Sequence, residues 1–411
     1  MSKAATDRIQ QDIATLSTFN DTPKQGVTRF SYTPQYRAAQ AYVRSQMEAA
    51  GLCVSLDAMG NLVGRKEGSE PGLGALAMGS HLDSVRCGGR FDGAMGVVCG
   101  LEVARMLQEN GTVLRHPFEV VAIAEEEGNS FGSGILGGKA FAGILEQETL
   151  HQLKNAEGVS AFQAMQEYGL HPENLAQIKK DPSKWAFFLE PHIEQGPVLE
   201  SEGLSVGVVE AIVGIRTRKI TITGRPDHGG TTPMHLRLDA VVAAARIVRL
   251  VDDAAKGLAD GTVTTCGSLK VEPGTLNVVP GRVEMTVDCR SSRQASIDAV
   301  TEQLNALLET LGKEGYTVQS MPLMEISPVR LSERGIQALT ASLAENGLPE
   351  KVLPSGAGHD SMYIAGVTEV GMLFARSKGG RSHCPEEFTR TEDIADCCNV
   401  AYTALLHLDN A

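Results

Sequence analysis

Five residues spread over most of the chain, His81, Asp92, Glu127, His192 and His383, carry side chains that bind divalent metals. Two ions need about three protein ligands each with water between them, and five residues suffice if one carboxylate is shared. Imidazole and carboxylate donors suit first-row ions: Zn²⁺, or Mn²⁺, Co²⁺ or Ni²⁺. Such a pair activates water, so the chemistry is hydrolysis. Asp92 lies in Gly88-Gly89-Arg90-Phe91-Asp92-Gly93, where glycines let the backbone approach an ion and a short carboxylate can bridge. In His81-Leu82-Asp83, side chains 81 and 83 share one side if the segment is extended. Asp83 would then accept the proton of the ring nitrogen that does not ligate, fixing the tautomer. Glu126 and Glu127 cannot point the same way in a strand-like segment, so one ligates and the other faces substrate. His359 and Asp360, in Ser355-Gly356-Ala357-Gly358-His359-Asp360, read as supports behind the ligands, and Gly358 as a backbone contact for substrate.

These residues need elements to hold them. The apolar run 75–78 ends in Gly79-Ser80-His81, the run 118–124 ends in the acidic triplet, and 185–189 reads as a strand ending near His192. Residues 93–107 read as a buried helix. Strands alternating with helices predict an α/β fold with a mostly parallel sheet flanked by helices. Ligands in such sheets bind beyond the carboxyl ends of the strands. From about residue 212 the texture changes: 219–223 alternates like a half-exposed strand, 262–271 and 283–289 are strands, and 236–251 and 296–311 have helical period. This predicts an α+β sandwich of roughly 100–120 residues. Because His383 must reach the same site, the expectation is a catalytic domain over 1–211 and 330–411, with an inserted domain at 212–329.

The 411 residues exceed what one core usually holds. A net charge of −13 disfavours a nucleic-acid partner. No apolar stretch has the length of a membrane span, and residues 1–11 are polar with no signal core. The eight cysteines lack CxxC spacing and read as free thiols in a reducing compartment. The expectation is a cytoplasmic protein without membrane partners.

Gly79-Ser80-His81-Leu82-Asp83-Ser84, Gly89-Arg90-Phe91-Asp92-Gly93, Ala124-Glu125-Glu126-Glu127-Gly128, His192-Ile193-Glu194-Gln195-Gly196, Asp227-His228-Gly229-Gly230, Asn277-Val278-Val279-Pro280-Gly281, Asp288-Cys289-Arg290 and Ser382-His383 carry a resemblance. The chain resembles the dinuclear metal amidohydrolases related to aminoacylases and glutamate carboxypeptidases. Within them it is most similar to the hydantoinase/carbamoylase branch: N-carbamoyl-L-amino-acid hydrolases, allantoate amidohydrolases and β-ureidopropionases. The resemblance implies one ion on His81, Asp92 and His192, a second on Asp92, Glu127 and His383, and Glu126 as general base. It implies a homodimer formed by the inserted domain, with His228 reaching the partner's site to stabilise the oxyanion. It assigns the substrate carboxylate to Arg290 with Asn277, and the carbamoyl end to Gln195. Arg216 reads either as a basic substrate contact, suited to allantoate, or as a strand-surface arginine. The implied reaction is hydrolysis of an N-carbamoyl-L-amino acid to amino acid, CO2 and NH3, with allantoate or ureidopropionate as alternative substrates. A peptidase is disfavoured by His192, and a metal-free binding homologue by the complete ligand set.

Overall fold

Strands buried on both faces make the centre of the molecule's first unit, as continuous Val/Ile/Leu/Phe runs require. The computed structural model describes residues 3–179 and 181–410. Its chain divides into two compact units, one running up to Glu210 and resuming at Leu331, the other Ala211–Arg330.

The strands are β1 (Cys53–Leu56), β2 (Leu62–Lys66), β3 (Ala75–His81), β4 (Phe118–Ile123), β5 (Trp185–Ile193), β6 (Val206–Ile212), β7 (Gly214–Thr223), β8 (Val263–Glu272), β9 (Arg282–Ser291), β10 (Thr317–Ile326), β11 (Val329–Arg330), β12 (Val352–Ser355) and β13 (Val370–Ala375). The larger sheet has the order β1-β2-β4-β3-β5-β13-β6-β11, with β12 also paired to β6. Its middle, β4-β3-β5-β13, is parallel, and β2 and β6 flank it antiparallel. Every residue of β3, β4 and β13 is buried. The helix Ala94–Glu109, buried from Ala94 to Leu107, and the helix Thr391–Asp409 pack beside these strands. The expected mixed α/β fold with a mostly parallel sheet is the one observed.

In the second unit, β10-β7-β9-β8 form an antiparallel sheet. Buried and half-buried residues alternate strictly along β9, as a one-sided strand demands. Ile220, Ile222, Val283, Met285 and Val287 pack with Ile247 of the helix Ala240–Leu258 and Ile297, Val300 and Leu304 of Gln294–Lys313. Each such buried aliphatic contributes about 1.5–3 kcal/mol.

Two boundaries differ from expectation. Strand β5 continues past Leu189 to Ile193 and so carries His192 within it. The helix expected from residue 236 starts at Ala240, because Asp239 caps it through hydrogen bonds from the Val241 and Val242 amides. Met234–Leu236 is a separate 3-10 turn.

Candidate metal centre

The parallel register brings the first two candidate ligands together. Met78 of β3 lies opposite Leu189 of β5, and the same offset carried three residues on aligns His81 with His192. Their rings are 5.6 Å apart, with Nε2 atoms separated by 3.5 Å. Each Nδ1 faces a backbone carbonyl, Asp83 O at 3.1 Å for His81 and Ile193 O at 2.9 Å for His192. A carbonyl can only accept, so Nδ1 carries a proton in both rings and Nε2 points into the shared space.

Asp92 enters from the loop before the helix Ala94–Glu109. Its Oδ1 is 3.3 Å from the Nε2 atoms of both His81 and His192. Its Oδ2 is 3.4 Å from His383 Nε2, which also lies 3.5 Å from Glu127 Oε2 and 3.4 Å from Gln195 Nε2. Two groups of donor atoms result, His81–Asp92–His192 and Asp92–Glu127–His383, each lying within 4.8 Å of one another. Asp92 belongs to both and presents one oxygen to each.

The acidic triplet is not strand-like. Glu125 has a positive φ of 58°, which turns the chain as it leaves β4. Glu125 is fully buried, and burial pushes its carboxyl up to about 8. Glu126 and Glu127 consequently both reach the cluster: Glu126 Oε2 is 3.8 Å from His81 Nε2. Asp83 corrects another expectation. Its carboxylate lies 3.8 Å from His81 Nδ1, beyond hydrogen-bond reach. Instead Oδ1 and Oδ2 accept from the amides of Glu126 and Glu127, at 3.2 and 3.0 Å. The turn at Glu125 aims those amides at Asp83, so its carboxylate anchors the acidic loop while its backbone carbonyl orients His81.

Charge balance suits a cation. Burial holds the Glu126 carboxyl well above the usual range and pushes Glu127 up to about 7. Burial also opposes ionisation of Asp92, yet His192, His383 and His81 together hold it well below that range. Hydrogen bonding to Asp92 raises His383 to about 9. Protons on these histidines and cations between them are two ways of satisfying the same carboxylates. Glu127 Oε1 is buried with no hydrogen-bond partner among the described residues. An orphaned carboxylate oxygen, converging Nε2 atoms and a two-faced aspartate are a donor set that fits divalent ions.

The remaining expected residues fall as follows. Gln195, also at φ 58°, donates from Nε2 to Asp92 Oδ2 at 2.7 Å, so it grips the shared carboxylate. His359 stacks edge-on against His192 at 4.6 Å, bonds Ser355 Oγ at 2.8 Å, and is held well below the ordinary imidazole range by burial. Asp360 is buried and accepts from the Gly138 amide. Neither belongs to the donor groups. Gly358 stands in the same turn near Ile135.

In the second unit, His228 and Asn277 are neighbours: residues 228 and 278 form a bridge and the Gly229 amide donates to Asn277 O. His228 Nδ1 accepts from the amides of Gly230 and Thr231 at 3.0 and 3.2 Å, so the neutral ring carries its proton on an exposed Nε2. Arg290 pairs with Asp288 at 2.9 Å. Arg216 donates to Asp298 at 2.8 Å and Thr301 at 3.1 Å on the helix Gln294–Lys313, the strand-surface alternative for this residue.

Sequence reasoning missed Glu387, Arg29 and Glu190. Glu387 is buried beside Asp92 and His383. Arg29 is buried and donates to Leu82 O, just after His81. Glu190 accepts from Ser80 Oγ and the Ser361 amide. All three act through contacts distant in sequence; only the spacing of Glu387 from His383 offered a signal. A cavity of about 830 Å³ beside Phe30, Tyr32 and Phe131 contains none of the five ligands, and the donor chemistry, not cavity size, locates the site.

The profile of peptidase family M20/M25/M40 matches residues 77–407. The chain belongs to this family. M20 proteins are metal-dependent, and the two donor groups are this member's candidate ligands. The chain is 45% identical over 410 residues to an N-carbamoyl-L-amino-acid amidohydrolase of Paenarthrobacter aurescens, covering 100% of this chain and 99% of that one. It is 36% identical to the allantoate amidohydrolase of Escherichia coli (strain K12), covering 94% of each. A hydantoinase/carbamoylase family amidase from Burkholderia multivorans superposes with a TM-score of 0.94 at 32% identity, covering 100% of this chain and 99% of that chain. This M20 member is an amidohydrolase of the hydantoinase/carbamoylase family, acting on C–N bonds of small molecules. Among the described residues no helix is long and apolar enough to cross a membrane.

Proposed function

We propose that the chain hydrolyses the carbamoyl C–N bond of N-carbamoyl-L-amino acids, releasing the amino acid, CO2 and NH3. One observation carries the reading: a carboxylate shared by two donor groups, with Glu126 held beside them and not needed as a ligand. Bound there, two divalent ions, Zn²⁺ or Mn²⁺, Co²⁺ or Ni²⁺, would supply Lewis acidity and a water of lowered pKa. His81, Asp92 and His192 would hold one ion, and Asp92, Glu127 and His383 the other. Glu126 acts as general base: its carboxylate removes a proton from the attacking water and returns it to the leaving nitrogen. A carboxylate held beside the donor groups is placed to take that proton and give it back. Asp83 fixes the backbone from which Glu126 projects. Gln195 holds Asp92 and contacts the carbamoyl end, with Gly358 lending a backbone contact.

The second unit recognises substrate in this reading and forms a homodimer. The Arg290 guanidinium suits a carboxylate in a bidentate fork, assisted by Asn277. His228 reaches the partner's site, where its Nε2–H would stabilise the oxyanion; one such donor contributes about 2.7–4 kcal/mol. The exposed apolar side chains of Met234, Leu236 and Leu276 beside this loop support a face covered by a second copy. The engagement of Arg216 with Asp298 leaves the N-carbamoyl substrate favoured over allantoate.

A panel of N-carbamoyl-L-methionine, N-carbamoyl-β-alanine and allantoate, assayed for ammonia with added Zn²⁺, Mn²⁺, Co²⁺ or Ni²⁺, tests this. The highest kcat/KM is expected for the first. Good turnover of allantoate with none of N-carbamoyl-L-methionine would overturn the substrate assignment.

A further inference from the structure

His81 and His192 are held by β-strands, but Asp92 and His383 stand on loops, and His383 has a positive φ of 58°. One side chain joins these loops across the fold. Glu387 is 3% exposed, and its Oε1 accepts from the amides of Phe91 at 2.9 Å and Asp92 at 3.0 Å. Its Oε2 takes the Ser382 hydroxyl at 3.0 Å and the His383 amide at 3.3 Å. Ser382 Oγ also lies 2.7 Å from Asp92 Oδ2, which closes a ring between the loops. The approach is tight enough that a Cβ on Gly89 would lie 2.0 Å from the Glu387 carboxyl, so a glycine is needed there.

We propose that Glu387 is the positioning residue for the Asp92–Glu127–His383 group: it sets the separation of two ligands that no strand fixes. The proposal rests on the reading that both donor groups bind metal. Three amides that cannot reverse converge on one side chain, two on Oε1 and one on Oε2, so both oxygens must accept; the single Ser382 proton is shared between Glu387 and Asp92. Glutamine, with its oxygen kept on the Phe91 and Asp92 amides, would turn an NH2 against the His383 amide, which can only donate. Losing such a support behind a ligand typically weakens metal binding 10–100-fold. The loss should fall more heavily on this group, in which Glu387 places both Asp92 and His383, than on His81–Asp92–His192, which shares only Asp92 and whose Nε2 atoms are aimed by β3, β5 and backbone carbonyls.

The test is Zn²⁺ binding by chelator competition, with stoichiometry and melting temperature, on wild type, Glu387→Gln, Glu387→Asp and Glu386→Gln. Glu386 is the neighbouring carboxylate, paired with Arg381 at 3.0 Å; its variant makes the same charge change outside the loop ring. Wild type and Glu386→Gln are expected to bind two zinc ions alike. Glu387→Gln is expected to bind the second ion 10–100-fold more weakly and the first, which keeps both strand-held histidines, with a clearly smaller loss, as is Glu387→Asp, whose shorter arm cannot span both loops. Unchanged affinity for the second ion, or equal weakening of both, overturns the proposal. If Glu387→Gln does not fold, the Asp variant decides by the same criterion. Wild type binding fewer than two zinc ions refutes the two-ion reading itself, and the proposal with it.

Discussion

Glu126 and Glu127 are adjacent in sequence, yet only Glu127 falls into a donor group with His383 and Asp92. That separation gives Glu126 its proposed freedom to move protons. Glu126→Gln is therefore expected to retain bound metal while kcat falls about 10²–10⁴-fold, the usual worth of a positioned base. Metal content by mass spectrometry and steady-state kinetics check both halves; an unchanged kcat would refute the assignment. That these imidazole and carboxylate donors would come together was legible in the sequence because most of them stand near the ends of apolar runs. The work of Asp83 was not, because its bonds to the Glu126 and Glu127 amides exist only once Glu125 turns the chain. Glu387 was hidden for a similar reason: its partners Phe91 and Asp92 are 296 and 295 residues away.

At the scale of elements, the site is assembled where parallel strands end and the backbone leaves its preferred region. Glu125 after β4, Gln195 after β5 and His383 all have φ of 58°. Such conformations persist where surrounding structure over-determines them, and they cluster at functional sites. Gly93 shows how little room remains: its φ is 61°, and a Cβ there would lie 2.3 Å from the His81 ring. Gly93→Ala is expected to incur about 1–3 kcal/mol of backbone strain, since φ 61° with ψ −54° is sparsely populated by residues with a Cβ, and to displace His81. A lowered melting temperature with loss of metal from the His81–Asp92–His192 group would be the signature, and a variant binding metal like wild type would contradict it. The buried strands and the helix Ala94–Glu109 were legible from apolar runs. The short helices Leu136–Ala142, Gln147–Gln152 and Ala161–Tyr168 were not, since so few residues carry little periodic signal. The start at Ala240 was misjudged because the capping of Asp239 outranked the apolar residues before it.

For the whole molecule, the proposal divides the work: the first unit carries the metal ligands and Glu126, the second His228, Asn277 and Arg290. If His228 acts in a partner's site, His228→Ala and Glu126→Gln subunits, each inactive alone, should recover partial activity when mixed. Mixed dimers would contain one site with both intact residues. No recovery despite demonstrated subunit exchange would count against a shared site. The change of periodicity near residue 212 and the return of His383 gave the expectation of an inserted domain, and the resemblance, whose matching segments occur in both units, added the proposed division of roles. The central claim, metal-dependent hydrolysis of a ureido bond, is tested most directly by one measurement. Chelator-treated protein is assayed for ammonia release from N-carbamoyl-L-methionine before and after adding Zn²⁺, Mn²⁺, Co²⁺ or Ni²⁺, with methionine quantified alongside. The account predicts negligible release before addition, recovery with at least one ion, and one methionine per ammonia. Activity indifferent to chelation, or no release with any of these ions, would contradict it.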